Sequence, residues 1–175
     1  MGENRPGTAI SAPLGLRTEE IPYSVVIVPW PIDSIPEMCQ DLRDTALYAD
    51  RCGAHLLQIN LPGYSKGLSS AAGFHREDVW RACIDTVRDV RGEVTCPIVT
   101  IPGMYEENLY EERKNVPRMI GVIAHSPAAR CGLRRGDVLS RVNHISITTR
   151  PQARDVLSTF QKGGIKTAHL TVRRE

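Results

Sequence analysis

Residues 125–147 read HSPAARCGLRRGDVLSRVNHISI, and this stretch decides how the second half of the chain folds. Ser126 and Pro127 open a short helical turn, serine as the N-cap and proline at the first helical position, where a missing N–H costs nothing. Gly132 ends that turn in the left-handed region, and Leu133 drops into the core. Gly136 makes the tight turn before a strand over 138–142. Asn143-His144 stands where an Asn-Gly hairpin turn is usual, and Ile145 and Ile147 continue as the next strand.

Downstream, a helix is expected over 151–161, capped by Thr149 or Arg150, with Ala153, Val156, Leu157 and Phe160 facing inward. Gly163-Gly164 stops it. Residues 166–172 then alternate, with Ala168, Leu170 and Val172 on one side. Upstream, residues 119–124 (MIGVIA) read as a short strand.

Taken in order, Ser126-Pro127-Ala128, Gly132-Leu133, Gly136-Asp137-Val138-Leu139 and Val142-Asn143 resemble the run found in bacterial PDZ domains. The resemblance implies a small, mostly-β, PDZ-like domain over 116–175 that binds a peptide as an added strand, its carboxylate held by backbone N–H groups. The holding loop would be Met119, Ile120, Gly121 and Val122, and Gln152 and Val156 would form the opposite wall. The chain departs from the family here. Only about seven residues separate Met119 from Ser126, too few for a carboxylate-loop strand and a second strand. The missing strand comes from upstream, or the groove is filled by the chain's own linker.

Further upstream the period changes. Residues 23–29 (YSVVIVP), 55–61 (HLLQINL) and 96–101 (CPIVTI) are short apolar runs of the kind found in buried strands. Between them lie two amphipathic helices. One starts at the capping box Ser34/Glu37 and ends before Gly53, and the other runs over about 76–91. The alternation predicts an α/β layer, β-α-β-α-β with parallel pairing, over 22–105. Each strand ends at a proline followed by a large aromatic. Trp30, Asp33, Tyr64, Lys66 and Tyr105 are therefore expected on one rim, at the carboxyl ends where α/β sheets take ligands. The alternative is that these aromatics merely cover the sheet end. Two right-handed crossovers in the simplest strand order put both helices on one face. The other face then calls for a cover, which predicts self-association or a partner subunit.

The stretches SVVIVPWPIDS, YADRCGA and HLLQINLPGY resemble the later part of the partial TIM barrel of radical S-adenosylmethionine enzymes. That resemblance implies a fragment, a degenerate relative or one subunit of a split enzyme, with S-adenosylmethionine as a cofactor. The family's CxxxCxxC motif is absent, so no iron–sulfur cluster follows from these residues.

Composition narrows the classes further. No apolar run approaches the ~20 residues that span a bilayer, so no membrane role is expected. Residues 1–21 lack a signal-peptide core and read as a flexible leader, and 106–115 read as a linker or a solvated turn of helix. The five cysteines show no metal-ligand spacing, and their odd number argues for reduced thiols in a cytoplasm. Residues 1–115 carry 11 Lys and Arg against 17 Asp and Glu, whereas residues 116–175 carry 11 against 3. The basic half has a single aromatic, Phe160, so a nucleic-acid stacking platform is not expected. No nucleophile elbow or acid/base pair marks an enzyme, and the expectation is a protein-interaction or regulatory protein with a protein or peptide partner.

Overall fold

Two periodicities in the sequence produce two kinds of sheet. The computed structural model describes residues 21–30, 34–62 and 77–174. The chain divides into two compact units, one through Glu106 and one from Glu107.

In the first unit the described elements are β1 (Ser24–Ile27), α1 (Ile35–Arg51), β2 (Leu56–Asn60), α2 (Glu77–Val90), β3 (Ile98–Ile101) and the start of α3 (Gly103–Tyr110). The sheet is parallel in the order β1-β2-β3, with Ile27, Ile59 and Thr100 in one row and Val25, Leu57 and Ile98 in the next. α1 begins where the sequence places it. The Ser34 hydroxyl accepts from the Glu37 N–H at 3.3 Å and donates to the Glu37 carboxylate at 2.7 Å. Its end is set by Gly53, whose φ of 88° is open to glycine and strained for most other residues.

Leu57 and Ile59 are fully buried, as are Cys83 and Ile84 of α2, and Leu42 and Ala46 of α1 are nearly so. The two helices pack on each other, and the buried residues of all three strands share one face by register. Among the described strand residues the opposite face carries Ser24, Val26, Leu56, Gln58, Asn60, Val99 and Ile101 and no charged side chain. On that side Val26 is 54% exposed and Ile101 41% exposed. Asp50 ties the end of α1 to the entry of β3 by accepting from the N–H groups of Thr95 (3.0 Å) and Cys96 (2.9 Å). Burial pushes the Cys83 and Cys96 thiols up to about 12, so both behave as small core side chains. Cys39 is only half-buried, and Cys131 is exposed.

The second unit contains α4 (Pro127–Arg130), β4 (Val138–Val142), β5 (Ile145–Ser146), α5 (Arg150–Lys162) and β6 (Leu170–Arg173). Its sheet is antiparallel in the order β5-β4-β6, with a register shift between Leu139 and Arg141. Leu139, Val142, Ile147 and Ala153 form the core, with Met119, Val156, Phe160, Ala168 and Val172 packed around it. Both helix caps match expectation. Ser126 Oγ accepts from the Ala129 N–H at 3.2 Å, and Thr149 Oγ1 accepts from the Gln152 N–H at 3.4 Å. Gly132 and Gly136 have φ of 78° and 91°, and Asn143 takes the left-handed position in the β4–β5 turn at 52°.

Two expectations are corrected, the strand over 119–124 and the mostly-β character of the second unit. Residues 119–124 are not a strand: a single antiparallel bridge, Arg118 to Val138, is all the ladder they reach. The segment over 106–115, read as a linker or a solvated turn of helix, begins within α3, which runs to Tyr110, and the Lys114 ammonium caps it by donating to the Glu107 and Glu111 carbonyls, both at 2.6 Å. The unit is also less β-rich than expected, since α5 alone has 13 residues against 5, 2 and 4 for its strands.

Candidate functional site

At the carboxyl end of the parallel sheet, Trp30 follows β1 and is 44% exposed. The Tyr105 ring lies edge-on to Trp80, with centroids 5.1 Å apart and planes at 86°. The Trp80 indole N–H donates to the Pro62 carbonyl at 2.8 Å. The Tyr105 hydroxyl is buried and has no hydrogen-bond partner among the described residues. Burial, with the Glu77 charge adding to it, holds that phenol above its ordinary value. Asp33, Tyr64 and Lys66, the other expected rim residues, lie outside the described residues. Trp80 belongs to this cluster but lies in α2 at a spacing that also fits its core stripe, and helical periodicity alone cannot separate those roles.

Beside it, Glu106 is held on both oxygens. Arg91 pairs with it, Nη2 to Oε2 at 2.9 Å, and the Thr100 hydroxyl donates at 2.9 Å. Burial works against the charge, but the Arg91 and Thr100 hydrogen bonds prevail and keep the carboxyl below its usual range. This arrangement anchors α3 to β3 and α2. Among the described residues no group of three or more His, Cys, Asp and Glu could hold a metal ion.

In the second unit the residues of interest leave the edge of β4. Pro117 O accepts from the Leu139 N–H at 3.0 Å, the Met119 N–H donates to Asp137 O at 2.8 Å, and Met119 O accepts from the Gly136 N–H at 2.8 Å. The ladder then stops. The N–H groups of Ile120, Gly121, Val122 and Ile123 have no hydrogen-bond partner among the described residues. Ile120 is 48% and Ile123 40% exposed. Met119, at the root of this strip, packs on the same core cluster as Val156 and Phe160 of α5. Gln152 is occupied elsewhere. Its amide donates to Ser146 O at 2.9 Å and accepts from the Thr148 N–H at 2.9 Å, which fastens the loop between β5 and α5.

The turn that aims the strip is locked by Asp137. Its carboxylate accepts from Arg174 Nε at 2.9 Å and from the Arg134 N–H at 3.0 Å, while Arg174 also donates to Gly132 O at 2.7 Å. Arg174 lies 37 residues away, so spacing within the motif gives no sign of it.

No helix among the described residues is long and apolar enough to cross a membrane. No curated protein and no solved structure matches the chain, so the likeness of the first unit to a radical S-adenosylmethionine barrel gains nothing from those comparisons. The second unit fares differently. A family model for the PDZ domain matches residues 120–165, and the C-terminal part of this chain therefore carries a PDZ domain.

Proposed function

We propose that this protein is an interaction or regulatory protein whose PDZ domain takes an extended segment of a partner alongside residues 120–123. The observation that carries the reading is the run of four successive backbone N–H groups without described partners, flanked by exposed Ile120 and Ile123. An unpaired backbone row is a template for an added strand, and neighbouring apolar side chains supply contact area. Met119 contributes to the core, whereas Ile120, Gly121 and Val122 supply the free amides. Val156 supports the site through the core it shares with Met119.

The test is Val122→Pro, assayed by fluorescence anisotropy against a peptide selected on the full chain. Proline deletes one N–H from the strip and breaks none of the described ladder bonds. The variant is expected to keep its circular dichroism spectrum and to bind about tenfold more weakly or worse. Unchanged affinity overturns the reading.

A second surface supports a further role. The uncharged face of the parallel sheet, with Val26 and Ile101 exposed, fits self-association or a partner subunit. The five free thiols fit a reducing compartment such as the cytoplasm. The proposal requires no cofactor, and neither the described residues nor the comparisons favour a radical S-adenosylmethionine function.

A further inference from the structure

No turn or left-handed residue between 119 and 123 gathers the amides of the strip at one point, and that arrangement selects the kind of ligand. A terminal carboxylate is held where several N–H groups converge, which requires a turn or an alternation of right- and left-handed residues. Between 116 and 123 no residue has a positive φ, and the three-residue turn closed by Arg118 N–H donating to Val116 O spends its own amide. The positive-φ residues of this unit are Asn115, His125, Gly132, Gly136, Asn143 and Gly164, and Gly121 is not one of them. No turn is assigned between 119 and 123.

The amides at the root of the strip are also committed. Arg118 N–H donates to Val116 O at 2.8 Å, Met119 N–H to Asp137 O at 2.8 Å, and Asn115 N–H to the Glu107 carboxylate. The free N–H groups of 120–123 begin only beyond these. Such a row matches the edge of a strand and offers no cradle to a lone carboxylate.

Charge defines the partner further. Residues 107–175 carry 13 Lys and Arg against 6 Asp and Glu. Three of those acids, Glu107, Asp137 and Asp155, are already paired with Arg150, Arg174 and Arg154. A surplus of this size draws acidic segments and repels basic ones.

We infer that the partner is bound through an internal, extended, acidic segment carrying apolar residues, and that a free C-terminus is not required. This rests on the peptide-binding reading above and departs from the carboxylate capture that the PDZ resemblance implies.

The experiment screens two random-peptide libraries on the full chain, one ending in free C-termini and one with every peptide flanked on both sides. Winners are synthesised with free and amidated C-termini and measured by anisotropy. The expected result is enrichment of acidic peptides from the flanked library, with amidation changing Kd less than about twofold. Enrichment confined to free C-termini, with amidation weakening binding about tenfold or more, overturns the inference and leaves peptide binding intact. Enrichment of basic peptides overturns the charge assignment. If neither library enriches, the peptide-binding reading itself fails, and the inference falls with it.

Discussion

The Asp137 side chain is 2% exposed and sits between an arginine and a backbone N–H. The Arg174 hydrogen bond is the main reason its carboxyl lies below the usual aspartate range; burial opposes it, and the Arg134 N–H adds to it. A carboxyl whose folded value is depressed stabilises the fold above its unfolded value, about 3.9, and loses that contribution as pH falls through the folded value. The second unit is therefore expected to lose stability on acidification below about pH 4. Asp137→Asn should be less stable than wild type at neutral pH, with the difference narrowing as acid is added. Thermal unfolding followed by the NMR signals of Val138 and Val142 checks both. At this scale the sequence is legible wherever a conformation belongs to one residue type, as with the left-handed glycines 132 and 136. It is silent on Arg174, because that pairing exists only after the chain has reversed through β6.

Helices and parallel strands were readable because their periods are set locally. The apolar stripes of α1 and α2 recur at helical spacing, and their caps at Ser34 and Gly53 lie in the sequence itself. Residues 119–124 mislead for the same reason. Met-Ile-Gly-Val-Ile-Ala has the composition of a strand, but a strand also needs a neighbour to pair with, and past Met119 no described residue offers one. The same fact gives Val122→Pro its diagnostic value. With no ladder bond to lose, the variant should match wild-type stability to within about 0.5 kcal/mol in urea unfolding. A larger loss would mean that the strip is already paired.

At the scale of the whole molecule, the uncovered sheet face was foreseeable from two right-handed crossovers in a three-stranded order, and Val26 and Ile101 are exposed on that face. Three strands expose too small an area for a tight dimer, which buries ~800 Å² per partner, so any association through this face alone should be weak. Light scattering over a concentration series is expected to show a mass rising above 19.4 kDa. The rise should disappear in Val26→Lys, because a lysine on this uncharged face cannot be buried without a partner. A wild-type chain that stays at its monomer mass throughout overturns the self-association reading. The rim at the carboxyl end of the sheet was only partly legible. Tyr105 follows β3 in the sequence, while Trp80, against which its ring packs, comes from a helix whose stripe reads as core.

The central claim is that a partner's segment pairs with the backbone of residues 120–123, and amide hydrogen exchange of the full chain, free and saturated with a selected peptide, tests it most directly. The account predicts that the N–H groups of Ile120, Gly121 and Val122 exchange quickly in the free chain, having no described acceptor, and that Ile120 and Val122, which alternate with the β4-facing Met119, become protected on binding. Protection that appears only at the outer edge of β6, or slow exchange at residues 120–123 before any peptide is added, would contradict it.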